Sequence, residues 1–216
     1  MSKSPTHVLR RAGGRAKSDV ANKLVSMCLH IVSKTLCEQG GLRVESEDYR
    51  HAVAGAFGDA CAYCGCDLHG ATVAIEHLDA MNRLRLGLHV PGNVLLSCRE
   101  CNNAKRRSDG AQTLKFGTSG WNDFLSHDSR ECDPTCVACG YWRKLLPPDR
   151  VVEHLSRRRD DISAFREKYV DQYPSTLPPE LFSLVSEIYS AAQAEAQVAA
   201  GKVHAKWKAL SQNESA

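Results

Sequence analysis

The sequence has no apolar run long enough to cross a membrane. A spanning helix needs roughly 18 consecutive apolar residues, and no stretch of the chain approaches that length. The N-terminus also lacks the apolar segment of a secretory signal, and no internal repeat is present. These absences argue against a membrane protein and a secreted scaffold, and they predict a cytoplasmic protein.

Acidic residues are missing from the first 17 positions. This stretch carries only basic charges, at Lys3, Arg10, Arg11, Arg15 and Lys17, although the whole chain has a net charge of only +3. Clustered lysine and arginine without balancing acids favour contact with phosphates. We therefore expect residues 1–17 to form a flexible basic arm that contacts nucleic acid.

Cysteine, in contrast, is abundant. The 216 residues include 10 cysteines, and 43% of the chain is hydrophobic, which is enough for a buried core. In the cytoplasm thiols stay reduced, so disulfides do not explain this number. Clustered cysteines in such a protein indicate bound metal.

Apolar periodicity and turn residues predict an α+β fold. Helices are expected over 18–38, 45–57, 101–108, 149–170 and 180–210, and short strands over 71–75 and 94–97. The corresponding segments are the basic arm (1–17), a helical N-terminal segment (18–57), a cysteine-rich core (58–110), a second cysteine-rich region (111–147) and C-terminal helices (148–216).

Two Cys-x2-Cys pairs delimit the core. Cys61 and Cys64 form the first pair, and Cys98 and Cys101 form the second, with 33 residues between the two pairs. Each pair places two thiolates on one tight turn, and two pairs complete a tetrahedral zinc site with no open position. The site is expected to be structural. Cys66 competes for a ligand position, but the two-residue spacing favours Cys61 and Cys64.

A second zinc site is predicted from Cys132, Cys136 and Cys139. Three thiolates need a fourth ligand to complete a tetrahedral zinc site. His127 is the nearest candidate on the N-terminal side, and the alternatives are His154, Cys66 and Asp133.

Residues between the two cysteine pairs have the side chains that a hydrolytic site needs. Oxygen atoms of Glu76 and Asn102 suit Mg²⁺ or Mn²⁺, and a neutral His77 can take a proton from water near pH 7. Lys105 lies three residues after Asn102, on the same helix face. His30 and His89 are interpreted as structural histidines.

Residues 61–105 resemble the HNH endonucleases, the ββα-metal nucleases. The resemblance rests on the paired Cys-x2-Cys motifs, on Glu76-His77, on Asn93 before an apolar run, and on Asn102 directly after Cys101. It implies a zinc-stabilised ββα core flanked by helices. His77 would be the general base, Glu76 and Asn102 would hold a catalytic Mg²⁺ or Mn²⁺, and Asn93 would fix the loop that orients His77.

The resemblance further implies an enzyme that hydrolyses DNA and leaves 5′-phosphate ends, in restriction, phage defence or mobile-element biology. The chain departs from the common pattern at Glu76, where the family usually has aspartate, and Asn103 is an alternative to Asn102 if the helix register shifts. Phosphate contacts are expected from Lys105, Arg106 and Arg107, and a homodimer is a further expectation. The alternative function is a zinc-stabilised nucleic-acid-binding module without catalysis.

Overall fold

The computed structural model describes residues 5–69, 73–107 and 137–213. Within them lie six α-helices and one two-stranded antiparallel sheet, which confirms the predicted α+β class. The elements are α1 (Pro5–Gln39), α2 (Glu47–Ala54), β1 (Val73–His77), β2 (Val94–Cys98), α3 (Arg99–Arg107), α4 (Val137–Leu145), α5 (Pro148–Val170) and α6 (Phe182–Asn213). Short 3₁₀ turns cover Gly55–Phe57 and Pro179–Leu181. None of these described helices is both long and apolar enough to span a bilayer.

Helix α1 starts well before the apolar pattern does. It begins at Pro5, inside the stretch predicted to be a flexible arm. Proline is favourable in the first turn of a helix, and the alanine, leucine, lysine and arginine residues that follow have high helix propensity. Apolar periodicity reports which helix face is buried, so it gives no signal where a helix lacks an apolar stripe.

The chain divides into two compact units, Met1–Cys28 with Pro178–Ala216, and Leu29–Leu177. In the first unit, α1 and α6 bury small and β-branched side chains: Ala21, Val25, Val185 and Ala192. The amide of Gln193 on α6 donates a hydrogen bond to the hydroxyl of Ser18 on α1, at 3.2 Å. This unit is therefore built from two helices.

In the second unit, the sheet brings the end of β1 beside the start of β2. Val73 lies opposite Cys98 and His77 lies opposite Val94. Helix α3 begins at the residue after β2, so the local order is strand, strand, helix. The side chain of Asn102 in α3 contacts Glu76, the second-last residue of β1.

The core of the second unit surrounds the cysteine pairs. Its fully buried side chains include Tyr63 of the first Cys-x2-Cys turn, Leu78 just after β1, Leu95 of β2, and Leu155 and Ile162 of α5. Arg158 of α5 donates to the carbonyl oxygens of Cys61, at 2.7 Å, and Ala62, at 3.3 Å. These bonds attach the first cysteine turn to α5.

The long loop between β1 and β2 is tied to the segment after α5. The Leu88 amide donates to the Ser175 carbonyl at 2.8 Å, and the Leu177 amide donates to the Leu86 carbonyl at 2.9 Å. Gly87 packs so closely on the Asp79 carbonyl that any Cβ would clash with it. The path of the loop is therefore set by contacts distant in sequence.

Candidate active site and metal centre

Five cysteines converge where the first cysteine turn meets the end of β2. The sulfur atoms of Cys61, Cys64, Cys66 and Cys98 all lie within 4.8 Å of one another. The thiol of Cys101 is in hydrogen-bonding contact with those of Cys61, Cys64 and Cys98. The predicted ligands are thus brought together, and Cys66 joins them.

The thiols of this cluster strongly perturb one another. Hydrogen bonds from Cys101, Cys61 and Cys64 hold the pKa of Cys98 far below its ordinary value. Hydrogen bonds with Cys61, Cys64 and Cys98, together with burial, raise the pKa of Cys101. The backbone amide of Cys101 also donates to the Cys98 sulfur at 3.4 Å. Cys98 is therefore ready to be a thiolate, the form that binds a metal.

This donor set fits a structural metal such as zinc. Zinc in structural sites takes four ligands in a tetrahedron and accepts thiolates readily. The cluster offers five sulfur atoms. Cys61, Cys64 and Cys98 are close to one another, and both Cys66 and Cys101 lie close to these three. Cys66 is partly exposed, whereas Cys101 is buried, so Cys101 is the better shielded candidate for the fourth position.

The second cysteine cluster stays a prediction. Cys132, Cys136 and His127 lie outside the described residues, and so does the side chain of Cys139. Of the alternative ligands, His154 packs its ring against Trp142, with centroids 3.6 Å apart. Its Nε2 atom is buried and has no hydrogen-bond partner among the described residues. His154 stays an alternative fourth ligand, together with Cys66 and Asp133.

Glu76 and Asn102 meet across the interface between β1 and α3. Both residues are 7% exposed, and the Asn102 amide donates to the Glu76 carboxylate at 3.1 Å. The other Glu76 oxygen accepts the backbone amide of His77 at 2.9 Å. The helix register thus turns the amide nitrogen of Asn102 towards the carboxylate.

Asn93 holds both ends of the long loop. Its side-chain oxygen accepts the Asp79 amide at 2.7 Å, and its side-chain nitrogen donates to the carbonyls of Asp79, at 3.1 Å, and Leu88, at 2.7 Å. The residue is fully buried. Because Asp79 is two residues from His77, these bonds fix the chain direction just beyond the end of β1.

The ring of His77 lies against a second imidazole. Its Nε2 is 3.1 Å from the Nδ1 of His89, and the two ring centroids are 5.3 Å apart. His89 is 8% exposed. Sequence reasoning treated His89 as a structural histidine, because nothing in the local pattern links two histidines twelve residues apart.

The expected phosphate-binding residues are only partly described. Lys105, Arg106 and Arg107 belong to α3, but their side chains lie outside the described residues. Helix α5 carries a basic run, Arg157-Arg158-Arg159, in which Arg157 is exposed, whereas the side chain of Arg158 is only 11% exposed. The Arg158 guanidinium is used within the fold, so this run is not a uniform phosphate-binding surface.

Another contact that sequence reasoning missed supports the site from α5. Arg166 pairs with the carboxylate of Asp79 at 2.8 Å and donates to the Ser175 hydroxyl at 3.0 Å. Asp79 and Arg166 are 87 residues apart, so no local pattern signals this pair. Together with Asn93, it holds the chain just beyond His77.

Comparison of the chain with family models, with curated proteins and with solved structures gives no match.

Proposed function

We propose that the strand–strand–helix region is the catalytic core of a metal-dependent endonuclease of the HNH type, which hydrolyses DNA phosphodiester bonds. The observation that carries the proposal is the contact of Asn102 with Glu76 at 3.1 Å, beside the backbone of His77. The Glu76 carboxylate and the Asn102 amide, from two different elements, thereby meet beside the backbone amide of His77 and near a cysteine cluster suited to zinc.

The donor chemistry of this place fits a divalent cation. Glu76 offers a carboxylate and Asn102 an amide oxygen, which are ligand types that Mg²⁺ and Mn²⁺ prefer. A carboxylate with little exposure to water also favours a cation as a partner. When bound, such an ion stabilises negative charge that develops on the phosphate and on the leaving oxygen.

His77 is the general base of the proposed reaction. It takes a proton from a water molecule, whose oxygen forms a bond to phosphorus while the bond from phosphorus to the 3′ oxygen breaks. The leaving 3′ oxygen takes up a proton from solvent, and His77 returns its proton to solvent. The products carry 5′-phosphate and 3′-hydroxyl ends.

The surrounding hydrogen bonds and ion pair position His77. Asn93 and the pair formed by Asp79 and Arg166 hold the chain that follows His77. Their effect is to keep the imidazole in one orientation, which a general base needs because proton transfer requires hydrogen-bonding distance. The basic residues of α3 and of the N-terminal stretch are the proposed contacts to DNA phosphates.

A plasmid cleavage assay tests the proposal. Zinc-loaded protein is incubated with supercoiled DNA, with Mg²⁺ or Mn²⁺ either added or left out, and product ends are sequenced. We expect cleavage only with the added ion, and we expect His77→Ala to cut at least roughly a hundredfold more slowly, because general-base catalysis contributes about 10²–10⁴-fold. His51→Ala is the matched control, since His51 pairs with Glu47 on the surface of α2.

Zinc content and DNA affinity are measured on every variant. Full activity of a folded His77→Ala protein would contradict the proposed mechanism. A native protein that binds DNA tightly but never cuts it, with either ion, would instead support a nucleic-acid-binding module without catalysis.

A further inference from the structure

The backbone of His89 is held by several side-chain contacts from outside its own loop. Its backbone amide donates to the Ser33 hydroxyl at 2.7 Å. Its carbonyl accepts the Tyr49 hydroxyl at 3.3 Å and lies 4.0 Å from the Cys37 sulfur. Three side chains from two helices, α1 and α2, thus contact the backbone of this one residue.

The ring of His89 is fixed as well. The Tyr49 ring stacks on it, with centroids 5.7 Å apart and an interplanar angle of 14°. The His30 ring contacts it at a centroid distance of 5.0 Å. Because the ring cannot turn freely between these neighbours, the direction of its Nδ1 atom is set, and that atom faces the Nε2 of His77 at 3.1 Å.

The hydrogen bond between these two nitrogens needs a proton on one of them and a lone pair on the other. A neutral imidazole has one N–H donor and one acceptor nitrogen, so a hydrogen bond between two neutral rings has two possible directions. Burial, with the neighbouring His30, lowers the pKa of His89 to about 4. His89 is therefore neutral near pH 7, and its Nδ1 can serve as an acceptor.

We propose that His89 is a positioning residue for His77, accepting on its Nδ1 the hydrogen bond donated by the Nε2–H of His77. This direction makes Nδ1 the basic nitrogen of His77. The opposite direction would place a proton on that Nδ1 and would prevent it from taking one from water. The inference rests on the proposed function, because it concerns the nitrogen that acts as the base.

The direction of the bond is measured without any reaction. Long-range ¹H–¹⁵N spectra of the ¹⁵N-labelled full chain at pH 7.5 distinguish protonated from unprotonated imidazole nitrogens. The signals of His77 are identified by their loss in His77→Gln, and those of His89 by their loss in His89→Asn. We expect a protonated Nε2 and an unprotonated Nδ1 on His77, together with an unprotonated Nδ1 on His89.

Two substitutions at His89 then separate positioning from packing. Leucine keeps an apolar side chain of similar size and removes the acceptor, whereas the side-chain oxygen of asparagine can occupy the place of the imidazole Nδ1. We expect His89→Leu to lower kcat for plasmid cleavage about tenfold or more, the range seen when a group that orients a functional residue is removed. The KM for DNA and the zinc content should stay as in the native protein, and His89→Asn should restore most of the rate.

His51→Gln is the matched control, since His51 pairs with Glu47 on the surface of α2 and contacts neither His77 nor His89 in any bond described above. It should leave kcat unchanged. A proton on the Nδ1 of His77 in the native chain would overturn the proposal, and so would a native kcat in a folded His89→Leu protein. If His89→Leu does not fold, the native spectrum and the rate of His89→Asn decide, and a rate as low as that of His77→Ala would count against the proposal.

The two hypotheses fail in different ways. If the native chain cuts no DNA under any condition, the proposed function is wrong, and His89 has no base to position whatever the spectrum shows. If the native chain cuts DNA but the spectrum or the His89→Leu rate contradicts expectation, only the role of His89 is wrong.

Discussion

Replacing Asn93 with alanine tests how the loop between the strands is held. Asn93 is fully buried and forms three hydrogen bonds to the backbone, one with the Asp79 amide and two with the carbonyls of Asp79 and Leu88. Alanine removes all three partners at once. The freed backbone groups lie in the interior, where a lost hydrogen bond is not readily replaced by water.

The expected loss of stability follows from these bonds. A typical hydrogen bond contributes a net ~1 kcal/mol, and leaving a buried group unsatisfied costs ~1–3 kcal/mol. Three bonds at the lower figure give about 3 kcal/mol. With a urea m-value of about 2 kcal/mol per molar, the unfolding midpoint should fall by about 1.5 M.

Urea unfolding of the zinc-loaded protein, followed by circular dichroism, measures the shift. Asn82→Ala is the matched control, because Asn82 also accepts backbone amides, those of Leu84 and Arg85, but in a partly exposed turn where water can replace it. A midpoint for Asn93→Ala no lower than that of Asn82→Ala would refute the reasoning. Plasmid cleavage by Asn93→Ala should also be slower, in an assay without urea at a temperature where the variant is folded. The reason is that the chain after His77 loses the hydrogen bonds that hold it.

The other predictions concern the metals. Elemental analysis of dialysed protein should give about two zinc ions per chain, and Cys98→Ser should lose the first and unfold the region around it, because binding and folding are coupled in such sites. A zinc count of one would remove the second site. Asn102→Ala should raise the Mn²⁺ concentration needed for cleavage more than it weakens DNA binding, since the amide oxygen is a proposed ligand; an unchanged Mn²⁺ requirement would point to another residue.

Local patterns predicted much of the framework. The helix expected over 45–57 is found as Glu47–Ala54 followed by the turn Gly55–Phe57, and the second strand, expected over 94–97, is Val94–Cys98. Apolar alternation and turn residues suffice for such elements because they report which side of a short segment is buried. Helix α4 was not predicted, since its short segment was assigned to a zinc-binding region.

The meeting of Glu76 with Asn102 was implied by the resemblance, which makes both residues ligands of one catalytic ion. The fifth thiol, Cys66, was recognised as a competitor but not placed, because its position depends on how the turn after Cys64 closes.

The contacts that orient the site could not be predicted. The Asp79–Arg166 pair joins residues 87 apart, and the Arg158 side chain bonds to the Cys61 carbonyl, 97 residues away. A basic run such as the one containing Arg158 looks the same in a sequence whether its members face water or backbone carbonyls. Tertiary packing alone decides which of them remains available to DNA.

A last prediction concerns His89 and pH. Its pKa is about 4 in the folded chain, against an ordinary value of 6.5. Between these values the unfolded chain binds the proton and the folded chain does not, so the free energy of unfolding falls as the pH falls from about 6.5 towards 4. The whole loss amounts to about 3 kcal/mol, at 1.36 kcal/mol for each unit of pKa.

Urea midpoints of the native protein and of His89→Asn, measured between pH 7.5 and 5, isolate this contribution. Protonation of the cysteine ligands and of the carboxylates affects both proteins alike, so it cancels in the difference. His30 and His77, which face His89, are also present in both proteins. The native midpoint should fall more steeply than that of the variant as the pH is lowered. Parallel curves would mean that His89 is protonated as easily in the folded chain as in the unfolded one, and its burial would then not keep it neutral. The neutrality that makes Nδ1 an acceptor for His77 is thus tied to a measurable loss of stability in acid.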